Sequence, residues 1–253
     1  MSERLQELLD RHGRLYGVIS RDPTLIDVEL MAQEGYHLVW FDLEHSTLSL
    51  SKAADLGRFA WHLGMIPMAR TVELSRGQVQ VMVDGGFKII VLPDVKNADQ
   101  ASKLVQLGKY PPRGQRGIST TATGNDYRIG SDLQRALNDA DAATHLMVQF
   151  ESDEGYDNLD AILSVDGIDM VTIGPNDWAI SAQLFGPART QIAPKIDHVL
   201  TRARGAGKIT AIGVSDADQA RHYTDLGARI LFVGPEISIR RKAYAQAIGG
   251  LRK

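Results

Sequence analysis

The sequence predicts a closed (β/α)8 barrel of the TIM type, and three observations carry that prediction. Eight short β-rich apolar runs recur along the chain, amphipathic segments of helical period separate them, and no linker or low-complexity tract interrupts the succession. Alternating strands and helices imply a parallel sheet covered by helices. Eight such units in about 250 residues imply closure into a barrel.

The runs are residues 16–19, 38–41, 66–69, 89–92, 146–150, 170–173, 210–212 and 230–233. Between them, residues 24–34, 50–63, 98–107, 193–204 and 216–226 carry apolar side chains at helical spacing. Asp22-Pro23 reads as a cap before a first-turn proline, and Asn97 and Ser215 stand at corresponding places before later helices. One connection, residues 109–132, is long and rich in Pro, Gly, Arg and Thr; following the fourth strand, it reads either as a lid or as a decorated surface loop. A single domain over residues 1–253 is expected.

Composition narrows the partners. The 28 basic and 31 acidic residues are well mixed and leave a net charge of -3, which supplies no basic field for a nucleic acid or an anionic membrane. Small-molecule substrates are favoured. The absence of cysteine excludes disulfides, thiolate nucleophiles and iron–sulfur clusters. The opening segment MSERLQELLDRHGR lacks the apolar core of a signal peptide, and no apolar run approaches the roughly 20 residues that cross a bilayer, so a cytoplasmic protein is expected.

Catalytic groups of such barrels stand where the strands end at the mouth. Here strand two ends in Asp42-Leu43-Glu44-His45, strand three in Arg70, strand five in Gln149-Phe150-Glu151 and strand six in Gly174-Pro175-Asn176-Asp177. Glu151 and Asp177 offer two hard oxygen ligands, too few for a closed cage, which suits Mg²⁺ or Mn²⁺ with open positions for water or substrate. The plainer alternative makes Glu151 a surface ion pair and Asp177 a helix cap. Arg70 would present a rigid fork to a carboxylate or a developing oxyanion, or else simply pair with Asp42 or Glu44. His45 would relay protons near neutral pH, or stand solvated in its loop. Lys88 and Lys208 precede strands four and seven, at the opposite face, which argues against a Schiff-base aldolase. The motifs of zinc helices, nucleophile elbows, Walker loops and dinucleotide sites are absent.

Taken together, Phe41-Asp42-Leu43-Glu44-His45, Arg70, Asp84-Gly85-Gly86, Pro93, the run from Tyr110 to Gly117, Gln149-Phe150-Glu151-Ser152 and Ile173-Gly174-Pro175-Asn176-Asp177 resemble the HpcH/HpaI family of class II pyruvate aldolases over residues 15–240. The resemblance implies a barrel of the phosphoenolpyruvate/pyruvate superfamily type. It also implies a lyase that reversibly cleaves a 4-hydroxy-2-oxo acid, such as a 2-keto-3-deoxy sugar acid, to pyruvate and an aldehyde through a metal-bound enolate. Under it, Glu151 and Asp177 hold Mg²⁺, Mn²⁺ or Co²⁺, Arg70 stabilises the enolate oxygen, and His45 shuttles a proton with Asp42 orienting water or Arg70. Gln149, Gly174, Asn176 and Asp177 contact the substrate, and Asp84 supports His45 from a neighbouring subunit. A homohexamer that exchanges the helix at residues 237–251 is implied too. Oxaloacetate decarboxylation, thioester cleavage, or 2-oxo-acid binding without turnover are the alternatives. Ile19, Phe87, Trp178, Gln183 and Glu236 depart from the family's usual Trp, Ala, Leu, Gly and Asp. The first four are expected to cluster around the pocket.

Overall fold

The computed structural model describes residues 3–122, 124, 127 and 132–251. Its strands are β1 Leu15–Ser20, β2 Leu38–Asp42, β3 Ile66–Arg70, β4 Ile89–Leu92, β5 His145–Phe150, β6 Met170–Ile173, β7 Ile209–Val214 and β8 Ile230–Pro235. Each of the eight predicted runs lies within one of them. All pairings are parallel, each strand pairs with its neighbours in sequence, and β8 returns to β1 to close the barrel.

The helices are α1 Glu3–His12, α2 Leu25–Gln33, α3 Leu50–His62, α4 Arg76–Asp84, α5 Ala98–Gly108, α6 Leu133–Ala143, α7 Asp153–Asp157, α8 Leu159–Leu163, α9 Pro175–Ser181, α10 Ala193–Gly205, α11 Ala217–Asp225 and α12 Glu236–Gly249. Asn97 caps α5 as expected, its side chain accepting from the Gln100 N–H. Two other caps differ by a residue or two. Thr24, rather than Asp22, caps α2 through a reciprocal box with Asp27, and Asp216, rather than Ser215, accepts the Gln219 N–H at the start of α11. None of the described helices is long and apolar enough to cross a membrane.

Period two along the strands divides the core into two layers. Leu38, Trp40, Ile66, Met68, Ile89, Val91, Met147, Met170 and Phe232 fill the barrel, and Leu5 and Leu9 of α1 close its floor from below. Val39, Phe41, Ala69, Ile90, Val148 and Val171 face outward into the helices. Each large side chain so buried stabilises the fold by about 1.5–3 kcal/mol. Gly17 is glycine because the Phe232 ring lies where its Cβ would be, 2.6 Å away. The same alternation carries Leu38-Trp40 up to Asp42, Ile66-Met68 up to Arg70 and Met147 up to Gln149, so the mouth layer of the interior is polar.

The connection at residues 109–132 does not begin at the mouth. Helix α5 carries the chain from β4 back to the floor, and the connection then runs along the outside of α4. There the Gly117 N–H donates to Gln80 Oε1 at 2.9 Å and Arg116 Nη2 to Asp84 Oδ1 at 3.1 Å. Its described part is therefore surface packing and no lid; residues 123, 125, 126 and 128–131 lie outside the described residues.

Candidate active site

A cavity of about 620 Å³ opens at the mouth, and His45, Arg70, Gln149, Asn176 and Asp177 line it together with Asp42. The register of β2 on β3 sets Asp42 directly beside Arg70. Arg70 donates from Nε and Nη2 to Asp42 Oδ1 at 3.2 and 2.7 Å, and its Nε stands 3.1 Å from Glu44 Oε2. Both ion pairs weighed as alternatives for Arg70 thus exist. They fix the guanidinium while it still faces the cavity. Asp42 is fully buried and also accepts the backbone N–H groups of Glu44 and His45 at 3.2 Å each and Arg21 Nε at 3.2 Å. Burial alone would raise its pKa; the charge and hydrogen bonds of Arg70, with help from the His45 amide and Arg21, outweigh that and hold the carboxyl below the ordinary aspartate value. His45, anchored through its amide, leaves its side chain 47% exposed at the mouth.

Glu151 follows β5 and is 6% exposed, which rules out a surface ion pair. Its Oε1 accepts the Asp94 N–H at 2.8 Å and its Oε2 accepts Gln149 Nε2 at 2.7 Å. Asp94 presents that amide from a left-handed backbone, φ 45°. Burial, and then the facing charge of Asp177, push the Glu151 carboxyl up to about 8. Asp177 stands in the first turn of α9, whose cap is Gly174 with no side-chain cap bond. Among the described residues its carboxylate has no hydrogen-bond or ion-pair partner, so it is exposed to the cavity rather than spent on a cap.

Gly174 makes this arrangement possible. A Cβ there would lie 2.1 Å from Glu151 Oε2 and 2.6 Å from Gln149 Nε2. Gln149 is buried, and its Oε1 is left without a hydrogen-bond partner. Two facing carboxylates, with the charge of Asp177 disfavouring that of Glu151, beside an unpartnered amide oxygen, fit a hard divalent cation. No group of three or more metal-binding side chains is gathered among the described residues. A cation held here would therefore keep open coordination positions.

Asp84 is not part of this constellation within its own chain. It ends α4 at the floor, where Gln80 Nε2 and Arg116 Nη2 donate to it at 2.7 and 3.1 Å. Lys88 and Lys208 also lie at the floor; the latter donates to the Ile168 carbonyl at 2.8 Å. Of the four departures expected to cluster at the pocket, only Ile19 lines the cavity. Phe87 packs on Phe41 with ring centroids 5.9 Å apart, Trp178 is buried with its Nε1 on Asp153 at 2.7 Å, and Gln183 is an exposed residue at φ 57°. Phe87 and Trp178 lie one layer outward, between strands and helices, Gln183 lies at the surface, and none of the three lines the cavity.

Several contributors were not foreseen. Trp40 reads as ordinary strand core, yet it lines the cavity with its ring 5.7 Å from the Arg70 guanidinium. Arg21 and Asp94 act through turns that give no motif. Lys242 lines the cavity from the second turn of α12, beyond any strand end. Its i,i+4 spacing from Ser238 was the available signal.

With this geometry in view, relatives are informative. A family model described as HpcH/HpaI aldolase/citrate lyase matches residues 18–243. A hydroxypyruvate/pyruvate aldolase of Pseudomonas aeruginosa is 34% identical over 87% of this chain and 82% of its own length. A 5-keto-4-deoxy-D-glucarate aldolase of Klebsiella pneumoniae subsp. pneumoniae is 29% identical over 90% of this chain and 88% of its own. The crystal structure of a family protein from Burkholderia cenocepacia J2315 superposes with a TM-score of 0.88 at 27% identity, covering 100% of both chains. Sequence coverage and barrel geometry agree: the chain belongs to the HpcH/HpaI aldolase/citrate lyase family.

Proposed function

We propose that this protein is a class II aldolase that reversibly cleaves a 4-hydroxy-2-oxo acid, such as a 2-keto-3-deoxy sugar acid, to pyruvate and an aldehyde. The observation that carries the reading is the placement of the Arg70 guanidinium and the Asp177 carboxylate on one cavity, with the buried Glu151 carboxylate facing Asp177. Names of relatives, including those for hydroxypyruvate/pyruvate and 5-keto-4-deoxy-D-glucarate, support it.

A divalent cation, Mg²⁺, Mn²⁺ or Co²⁺, held by Glu151 and Asp177 would supply a Lewis acid toward the keto and carboxylate oxygens of the 2-oxo acid. The remaining chemistry falls to the chain. In the cleavage direction the proton leaves the C4 hydroxyl, the C3–C4 bond breaks, and its electron pair moves to C3–C2 so that negative charge collects on the C2 oxygen. Arg70, locked by Asp42, meets that charge in a geometry that needs no reorganisation. His45, half exposed and tethered by its amide to Asp42, accepts the hydroxyl proton directly or through water. Protonation at C3 then yields pyruvate. Gln149, Gly174 and Asn176 complete the contacts around the 2-oxo acid.

The same reading includes a cytoplasmic homohexamer. Glu236 is the only buried residue of α12, whereas Tyr244 and, just beyond the helix, Leu251 are 71% and 82% exposed, which suits a helix exchanged onto another chain. Asp84 would then support His45 from a neighbouring subunit.

Chelation should abolish pyruvate release, and Mg²⁺, Mn²⁺ or Co²⁺ should restore it. Full turnover in excess chelator, or a pyruvate adduct trapped by borohydride, would overturn the assignment in favour of an imine route.

A further inference from the structure

Arg70 is held by its hydrogen bonds along one edge only. Its Nε and Nη2 donate to Asp42 and its Nε stands against Glu44, whereas Nη1 makes no hydrogen bond among the described residues. A planar guanidinium fixed along one edge can still rock about that edge. Its face needs a support of its own.

Trp40 stands where that support is needed. The Arg70 guanidinium lies over the indole, 5.7 Å from the ring centroid. The ring is itself wedged in place: Ile19 of β1 and Met68 of β3 flank Trp40 in register, and the Phe232 ring meets it edge-on at 5.0 Å and 72°. Phe232 reaches that position because Gly17, its register partner on β1, has no Cβ to stand in the way. A packed column thus runs from Gly17 through Phe232 and Trp40 to Arg70, and its last three members line the cavity.

An indole is an expensive residue to place here. Trp40 is 3% exposed, and its Nε1 has no hydrogen-bond partner among the described residues. A buried donor left unpaired lowers stability, and Leu, Met or Phe would fill the core without that loss. What Trp alone supplies is the most electron-rich aromatic face for a cation to rest on.

We propose that Trp40 is a positioning residue for Arg70: its π face stops the guanidinium from rocking and keeps water from beneath it, so that the fork meets the developing enolate charge already aligned. The proposal rests on the aldol reading. Trp40 touches no reacting atom in it and acts only through Arg70.

The test is a double-mutant cycle on the metal-supplied enzyme, read by deuterium exchange of the pyruvate methyl group and by binding of oxalate, a planar dianion that resembles the enolate. Trp40→Met should slow exchange about 10-fold at saturating pyruvate with little change in KM, and should weaken oxalate by a similar factor; Trp40→Phe, which keeps a ring, should stay within about 3-fold of wild type. Phe232→Leu, which leaves the indole but frees it to move, should slow exchange in the same sense. In an Arg70→Ala background Trp40→Met should have no further effect on either readout. An equal loss with and without Arg70, or equal rates in Trp40→Met, Trp40→Phe and wild type, overturns the positioning role. Absence of exchange in the wild-type enzyme overturns the aldol reading itself.

Discussion

The mouth and the floor of this barrel both bury charge, and they treat it in opposite ways. At the floor, Lys109 is 2% exposed and donates to the carbonyl oxygens of Asp141, at 2.9 Å, and Thr144, with Asp169 Oδ2 at 3.5 Å. The acids there are engaged in turn: Asp141 Oδ1 accepts the Tyr110 N–H and Asp169 Oδ2 the Leu146 N–H, both at 2.9 Å. At the mouth, Asp177 has no partner among the described residues, Gln149 Oε1 has none, and Glu151 is pushed up to about 8. Floor charges hold the chain's shape. At the mouth the Asp42–Arg70 pair is complete as well, whereas Asp177 and the Gln149 amide oxygen face the cavity without a partner among the described residues, open to a ligand.

The sharpest way to break this contrast is to neutralise one charge at each end. Glu151→Gln should cut metal-dependent aldol cleavage by on the order of 10³-fold, while the melting temperature of the metal-free protein near pH 7 does not fall, because a carboxyl pushed up to about 8 is already mostly neutral there and Gln keeps its shape. A matching loss of stability would place Glu151 with the floor residues. Lys109→Met should do the reverse. It strands buried acceptors and costs about 4 kcal/mol, a drop in Tm on the order of 10 °C, with kcat of the folded fraction preserved.

The pH dependence of stability sharpens the contrast next. Burial pushes His145, at the floor, down to about 4, with Asp169 opposing and Lys109 adding to the shift. The unfolded chain takes up this proton near pH 6.5 and the folded chain only near pH 4, so the unfolded state binds more protons between them. The neutral His145 therefore contributes stability above pH 6.5 that is lost as pH falls toward 4, by about 3 kcal/mol in total. Urea denaturation across that window should show the slope, and His145→Leu should flatten it. Smallest of the four, Arg70→Ala should lower kcat by about 10²-fold with a lesser change in KM, since the interaction it removes is strongest where charge develops. Equal effects on kcat and on unfolding free energy would make Arg70 a structural ion pair only.

Much of this was legible because one periodicity reports two things. Alternation along β2, β3 and β5 gives both the strand and the direction of its last polar residue, so Asp42, Arg70 and Gln149 could be aimed at the interior from residue type alone. Helix α1 escaped notice because charged neighbours mask the spacing of Leu5 and Leu9, which matters only once a barrel floor exists to receive them. Of the two readings of the connection at residues 109–132, lid or decorated surface loop, its described part follows the second, because the intervening α5 has already returned the chain to the floor. Asp94 and Arg21 were invisible, since their roles depend on a backbone angle and on where two turns meet, which no local pattern encodes.

The amide that steadies Glu151 belongs to the main chain of Asp94. A backbone donor has no codon of its own: every residue but proline at that position would bring the same N–H group. Substitution there varies only the cost of the left-handed conformation, about 1–2 kcal/mol for side chains less suited to it than Asp, Asn or Gly. The orientation of the carboxylate is thus buffered against genetic drift at position 94. Lineages remain free to exchange that side chain, and its ion pair with Lys96 at 2.8 Å, while the geometry of the site persists.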